Sequence, residues 1–175
     1  MALDLTFRKL TANEAEECFN RLIQDGSMWA YAYDLDEEEC TLQMWLDIYN
    51  NPLIFSCAFL INNELAGFAE LMPFVSQTRA VSVNTGLFKP YYPYAKLLMN
   101  EASLWVLENF DGACCVGVTP VVNRQMTALL PAIGYKKIGT IPEYTWFNKK
   151  KKYVDAIITV ATRTTLTKAR NHMKE

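Results

Sequence analysis

The sequence has little of the residue on which many active sites depend. Its 175 residues include one histidine, His172, which lies close to the C-terminus. A single terminal histidine excludes a histidine-based catalytic triad and a histidine-containing metal cluster. The chemistry of this chain must therefore come from other side chains, and we predict no metal site.

Cysteines are few and lack the spacing of a metal or redox site. The chain has five, scattered apart from the adjacent pair Cys114 and Cys115, and none stands in a CxxC pattern. An odd number without such spacing favours free thiols in a reducing compartment. We therefore predict a cytoplasmic protein. The adjacent pair lies in an apolar run, which favours buried packing; a nucleophilic thiol is the alternative.

Neither sign of charge dominates, since 17 Lys and Arg residues face 19 Asp and Glu residues. This balance gives no general attraction for nucleic acid or for an anionic membrane surface. No apolar run approaches the ~20 residues that span a bilayer, and the start of the chain has no signal-peptide pattern. We expect no membrane partner. Lys149–Lys152 is a local exception, read either as a solvated hairpin tip or as a contact for an anionic partner such as nucleic acid.

Strand and helix patterns alternate along the whole chain. Thr11 and Glu14, for example, have the spacing of a capping box at the start of an amphipathic helix. In chain order the patterns predict a strand at 3–10, helices at 11–26 and 37–49, strands at 53–61, 64–71 and 79–88, a helix at 93–109, a strand at 113–119, a helix entered at Asn123, a strand at 135–140, and a hairpin of strands at 144–147 and 153–162. We predict one domain over residues 1–163, followed by a polar, frayed tail over residues 164–175.

The strand, loop and helix between residues 79 and 109 have the arrangement of a phosphate-binding site. Amides in the first turn of a helix are unpaired donors at the positive end of the helix dipole. Pro93 suits the first helical position, where its missing N–H costs nothing. The groups that could hold a phosphate are the amides of Tyr94, Ala95 and Lys96 and the cationic side chains of Lys89 and Lys96.

Three consecutive segments, Val116–Asn123, Ala128–Leu130 and Ile133–Gly139, resemble the GCN5-related N-acetyltransferase superfamily. They are similar to its pattern of a strand, an asparagine, a short helix and a glycine-aromatic exit into the next strand. The ending, Tyr144–Phe147 followed by Tyr153–Asp155, is closest in pattern to the branch of the ribosomal-protein alanine acetyltransferases. Small members of this kind are frequent in bacteria and their phages, so a bacterial or phage source is expected.

The resemblance implies an α/β (α+β) fold of the acyl-CoA N-acyltransferase kind. Its central sheet would be mixed and mostly antiparallel, with about seven strands flanked by about four helices. Acetyl-CoA would be the cosubstrate and would lie between the fourth and fifth strands. The acceptor would be a primary amine on a small molecule or a protein, and a homodimer would be compatible with the resemblance. The 28–49 segment and the 140–153 hairpin would set acceptor specificity.

The resemblance also implies cofactor-binding residues. Backbone along the fourth strand would hold the pantetheine arm, and the start of the following helix would face the pyrophosphate. Asn123 matches a family position that contacts the cofactor, although capping the helix that it opens is an equal interpretation. The implied cofactor-binding residues are Asn84, Gly86, Leu87, Phe88, Lys89, Tyr94, Ala95, Lys96 and Asn123.

The chain departs from the family pattern at two places. Tyr92 and Tyr94 occupy the two glycine positions of the cofactor loop, which makes that loop degenerate. Leu130 occupies the position at which many members have a tyrosine general acid. Glu70, on the third strand, is the nearest carboxylate by topology and is the candidate general base. We expect an acyl-CoA-dependent N-acetyltransferase in which the amine attacks the thioester directly. The alternative is an inactive scaffold that uses tyrosines 91, 92 and 94 to contact a protein partner.

Overall fold

A computed structural model describes residues 3–36, 38–73 and 79–173. The strands are β1 (Leu5–Lys9), β2 (Phe55–Ile61), β3 (Glu64–Pro73), β4 (Ala80–Leu87), β5 (Cys114–Pro120), β6 (Lys136–Phe147) and β7 (Lys152–Thr162). The α-helices are α1 (Ala12–Gln24), α2 (Leu42–Tyr49), α3 (Ala95–Asn109), α4 (Arg124–Ala132) and α5 (Arg163–His172). Short 3₁₀ segments lie at Met28–Ala30, Lys89–Tyr94 and Asn148–Lys150.

The seven strands form one mixed sheet in the order β1-β2-β3-β4-β5-β7-β6. The pairs β1/β2, β2/β3 and β5/β7 are antiparallel, whereas β4 and β5 are parallel over Ala80–Ser82 and Cys114–Val116. The predicted mixed, mostly antiparallel sheet of seven strands is therefore confirmed. The part of the chain that the structure covers contains five α-helices, one more than expected, and none of these is long and apolar enough to cross a membrane.

The start of α1 has the capping box that the sequence predicts. Thr11 Oγ1 accepts from the amide of Glu14 at 3.3 Å, and the Glu14 carboxylate accepts from the amide of Thr11 at 2.9 Å. The same carboxylate receives two hydrogen bonds from the Arg8 guanidinium, at 2.8 and 2.6 Å. The hydrogen bonds lower the pKa of Glu14 to about 2, and the bond with Arg8 makes the largest contribution. One carboxylate thus ties the end of β1 to the first turn of α1.

Helix α2 begins later than the predicted start at about residue 37. Its first residue is Leu42, because Thr41 caps it by accepting a hydrogen bond from the amide of Met44 at 3.2 Å. Glu37 lies outside the described residues, and Glu39 accepts from the amide of Asp36 in a turn before the helix. The acidic run therefore precedes the helix instead of forming its first turn.

Two compact units divide the chain. Of the described residues, the first unit comprises 3–36, 38–72, 84–93 and 146–152, and the second comprises 73, 79–83, 94–145 and 153–173. The core of the first unit is aromatic: Trp45 lies edge-on to Phe68 at 5.2 Å between ring centroids, and Tyr31 lies 5.0 Å from Trp45. This packing places Tyr31 in the core of the first unit.

In the second unit the expected frayed tail is wrong for the residues that the structure covers. Arg163–His172 forms α5, which opens with a capping box between Thr162 and Thr165. Leu166 is completely buried. The polar sequence of this segment hides the helix, because one buried leucine gives almost no periodic signal.

Asn100 of α3 holds α5 in place from within the second unit. Its buried amide nitrogen donates to the carbonyl of Leu166 at 3.0 Å and to the carbonyl of Ile133 at 2.9 Å. Gly134 follows with φ of +101°, and a Cβ there would lie 2.7 Å from the carbonyl oxygen of Thr165. The glycine that ends the α4 segment thus permits both its own turn and the approach of α5.

The Arg8–Glu14 pair predicts a stability that depends on pH. The folded pKa of about 2 lies below the ordinary value of 4.5, so its contribution is complete above about pH 4.5 and is lost as the pH falls through 2. Glu14→Gln should lower the free energy of unfolding at pH 7 by about 1 kcal/mol, since the pair is partly exposed. Urea unfolding should show this difference shrinking between pH 4.5 and pH 2.5. Glu16→Gln, at an exposed position of α1, is the control, and a Glu14→Gln effect that is constant with pH would contradict the account.

Candidate functional site

Close contacts between β3 and β4 define how these strands are aligned. The amide of Phe88 donates to the carbonyl of Ala66 at 3.0 Å. Two positions further along β3, the ring of Phe68 occupies the space where a Cβ on Gly86 would lie. Gly67 is equally constrained, since a Cβ there would overlap the carbonyl oxygen of Gly86. Ala66 is aligned with Phe88, and Phe68 is aligned with Gly86. The two strands are therefore antiparallel.

The next step of this alignment brings Glu70 opposite Asn84. Glu70 is on the same face of β3 as Phe68, because side chains alternate along a strand, and it is only 6% exposed. Burial raises the pKa of its carboxyl group to about 7, and a hydrogen bond with the side chain of Asn84 acts in the opposite direction. The candidate base is therefore a buried carboxyl group that exchanges its proton near neutral pH.

The backbone N–H and C=O groups of β4 point alternately towards β3 and away from it. In an antiparallel pair, opposing residues alternate between those that exchange hydrogen bonds and those that do not. The bond from Phe88 to β3 places Gly86 and Asn84 in the hydrogen-bonded set. It follows that the N–H and C=O groups of Thr85 and Leu87 point away from β3. Backbone along this strand was predicted to hold the cosubstrate, but the alternation between its two sides depends on the register with β3, which cannot be read from the sequence of β4 alone.

Gly86 and Phe88, both predicted to bind cofactor, also serve the fold. The absence of a side chain at Gly86 admits the Phe68 ring. Phe88 is buried, its ring centroid lies 6.4 Å from that of Phe68, and the Arg21 guanidinium lies 5.0 Å from its ring centroid. The structure shows these two residues in contact with β3 and α1. Contacts between their backbone and a cofactor stay a prediction.

Lys89 is held by the end of α1. Its amide donates to the Asp25 carboxylate at 3.2 Å, and its ammonium group donates to the backbone carbonyl of Asp25. A cation at a helix C-terminus is stabilised by the helix dipole. Nearby, the Tyr91 hydroxyl donates to the Glu64 carboxylate at 2.9 Å. The segment that precedes α3 is thus tied to α1 and to the start of β3.

The expected loop at residues 89–94 is a 3₁₀-helix that runs directly into α3. The α-helix begins at Ala95 and not at Pro93, which lies inside the 3₁₀ segment. Tyr94 is the N-cap residue and makes no side-chain capping bond. A 3₁₀-helix uses its amides in bonds to carbonyls three residues back, so this entry differs from an open, glycine-lined cradle. Lys96, on the first turn of α3, is exposed.

Asn123 caps α4, as one of its two interpretations predicts. Its Oδ1 accepts a hydrogen bond from the amide of Met126 at 3.1 Å. Leu130 is buried on the same helix and carries no acidic proton. Tyr135 is also buried, and its hydroxyl lies 3.0 Å from Ser103 Oγ, where burial raises its pKa well above the usual value.

Cys115 is fully buried, as the packing interpretation predicts. Burial raises the pKa of its thiol to about 12, which leaves it un-ionised at neutral pH. The thiol donates to the backbone carbonyl of Ser103, with 3.7 Å between sulfur and oxygen. Cys114 is half-buried at the start of β5.

Within the first unit, residues 148–151 at the tip of the last hairpin contact the aromatic segment at residues 29–36. The Lys149 ammonium lies 5.0 Å from the centroid of the Trp29 ring, and the Lys151 ammonium lies 3.7 Å from the Asp36 carboxylate. The amide of Asn148 donates to the carbonyl of Tyr33 at 2.9 Å. Two of the four lysines are therefore already engaged within the protein. The two segments predicted to set acceptor specificity touch each other.

The strand order, the parallel pairing of β4 with β5 and the flanking helices define the fold of the GCN5-related N-acetyltransferases, as the sequence resemblance implied. Solved structures of acetyltransferases have a similar fold. The spermidine N-acetyltransferase from Vibrio cholerae in complex with CoA and spermine has a TM-score of 0.75 at 15% identity, covering 93% of this chain and 98% of that one. The ribosomal-protein-S5-alanine acetyltransferase from Vibrio fischeri has a TM-score of 0.67 at 15% identity, with coverages of 93% and 94%.

A dodecameric form of the Vibrio cholerae spermidine N-acetyltransferase is also similar, with a TM-score of 0.69 at 15% identity and coverages of 91% and 94%. A scan against family models and a search of curated proteins found no match. At these identities the likeness shows the fold, which this chain shares with the acetyltransferases over nearly its whole length.

The raised pKa of Glu70 predicts that a substitution stabilises the protein at alkaline pH. The folded pKa of about 7 lies above the ordinary 4.5, so the protonated carboxyl stabilises the fold fully below pH 4.5 and this contribution is lost as the pH rises through 7. Glu70→Gln stays neutral and should raise the free energy of unfolding at pH 8 by about 1–3 kcal/mol relative to wild type. Urea unfolding at pH 5 and pH 8 measures the effect. An equal difference at both pH values would contradict the burial argument.

Proposed function

We propose that the protein is an acyl-CoA-dependent N-acetyltransferase that transfers an acetyl group from acetyl-CoA to a primary amine. The observation that carries the proposal is the buried Glu70 carboxyl, with a pKa of about 7, on a strand of an acetyltransferase fold. Both named neighbours are acetyltransferases of amines, a polyamine in one and a ribosomal-protein alanine in the other. A primary amine is therefore the acceptor class to test first.

Glu70 would act as the general base. A primary amine is protonated at neutral pH and must lose a proton before its nitrogen can attack. The carboxylate accepts this proton, and a base is most effective when its pKa is close to the working pH. The nitrogen then forms a bond to the thioester carbonyl carbon, the carbon–sulfur bond breaks, and the CoA thiolate leaves and takes up a proton. Because Leu130 has no proton to give, that last proton comes from another donor.

Each unit, taken by itself, has groups of a kind that acetyl-CoA could use. In the first unit, the backbone groups of Thr85 and Leu87 point away from β3 and could pair with the amides of a pantetheine arm. In the second unit, the first turn of the fifteen-residue α3 offers the positive end of a helix dipole and the exposed Lys96. Lys89 is held by Asp25, so we assign most of the phosphate attraction to Lys96 and the helix end.

A catalytically inactive scaffold is the second candidate. It is favoured by the tyrosines that replace the glycines of the family loop, since Tyr92 and Tyr94 are each 39% exposed. Tyr91, which was expected to contribute to the same surface, is half-buried, and its hydroxyl is hydrogen-bonded to Glu64. The scaffold would contact a protein partner through Tyr92 and Tyr94 and would turn over no acetyl-CoA.

Acetyl transfer can be measured directly with acetyl-CoA and a panel of amines that includes spermidine and a peptide with an N-terminal alanine. Chromatographic detection of CoA avoids the five protein thiols. We expect CoA release that depends on the amine and rises with pH around an apparent pKa near 7. Glu70→Gln should lower the rate by about 10²–10⁴-fold.

Glu16→Gln, on the exposed face of α1, controls for loss of a carboxylate and should keep the wild-type rate. Release of no CoA with any amine would contradict the enzyme proposal and favour the scaffold. A Glu70→Gln variant that retains the full rate would remove Glu70 from the mechanism while leaving the enzyme proposal intact.

A further inference from the structure

Asn84 lies opposite Glu70 in the alignment of β3 and β4 and forms a polar contact with it across the two strands. Its side chain is hydrogen-bonded to the buried carboxyl, yet the residue itself is exposed. Glu70 lies between Ser56 of β2 on one side and Asn84 of β4 on the other. Asn84 therefore connects a buried carboxyl group with the surface.

Two other polar groups near Glu70 are uncharged. Ser56 is neutral, and the Cys18 thiol of α1, which interacts electrostatically with Glu70, has a pKa raised by burial and is neutral as well. Tyr31 packs on Phe68, two positions before Glu70 on the same face, with 5.5 Å between ring centroids. An amide N–H that donates to a carboxylate favours the charged form.

We propose that Asn84 is a positioning residue, whose side-chain amide orients the buried Glu70 carboxylate and keeps it in the form that accepts a proton. The inference rests on the proposed function for the role of Glu70 in acetyl transfer. The hydrogen bond between Asn84 and Glu70 and the burial of the carboxyl are independent of that function. Sequence reasoning had assigned Asn84 only a backbone contact with the cosubstrate.

The test combines a titration with a pH profile. Protein labelled with ¹³C at the glutamate carboxyl carbons allows the Glu70 carboxyl to be titrated by NMR, with Glu70→Gln identifying its signal. Asn84→Leu removes the donor, so the Glu70 pKa should rise above the wild-type value of about 7. Asn84→Gln keeps an amide and should return the pKa towards wild type. Thr85→Val, on the opposite face of β4, is the control and should leave the titration unchanged.

The pH profile of kcat/KM should move in the alkaline direction in Asn84→Leu. The loss at pH 6.5 should be about tenfold for each unit by which the pKa rises, and the variant should approach wild type at pH 8.5. An unchanged Glu70 titration in Asn84→Leu would overturn the inference, as would an equal loss of activity at every pH. If wild-type protein transfers no acetyl group, the proposed function fails, while the titration still decides whether Asn84 controls the Glu70 carboxylate.

Discussion

The close contact between β3 and β4 is the constraint on which the candidate site depends. Gly67 and Gly86 lack side chains where the two backbones and the Phe68 ring meet, so the strands can align in one way. That alignment brings Glu70 opposite Asn84 and turns the backbone of Thr85 and Leu87 away from β3. The packing of an aromatic core thus determines both where the candidate base lies and which backbone groups a cosubstrate could use.

The segment at residues 89–94, which follows β4, differs from an open glycine loop. Where a glycine loop would leave amides open, this chain has a 3₁₀-helix whose side chains bind neighbouring elements: Lys89 at the end of α1 and Tyr91 at Glu64. The segment therefore contributes to the stability of the first unit. In the proposed function, attraction for phosphate would come from the start of α3 and from Lys96, and it would rely more on charge than on fit.

Local sequence signals predicted much of the fold. The capping box of Thr11 and Glu14, the apolar runs of the central strands and the asparagine at the start of α4 each depend on neighbours within a few residues, and each matches the structure. Helix α5 was missed because a mostly polar helix is fixed by Asn100 and Leu166, which act through tertiary packing. The start of α3 was displaced because Pro93 suits a 3₁₀ turn as well as a first helical residue.

The candidate site was less predictable than the fold, for a physical reason. The predicted order of strands placed Glu70 on the strand next to β4. Its burial, its pKa and its pairing with Asn84 depend on the register of the two strands. Register is set by contacts between residues that are far apart in the chain. The engagement of Lys89 with Asp25 is likewise a contact over 64 positions, which no local pattern encodes.

Binding of acetyl-CoA, measured by isothermal titration calorimetry, tests the central claim most directly. The account predicts saturable binding of one acetyl-CoA per chain, weakened at high salt and in Lys96→Ala, because phosphate attraction rests on that lysine and the end of α3. Absence of heat at millimolar acetyl-CoA with a folded protein would contradict the account, and the shared fold would then be a scaffold without its cosubstrate.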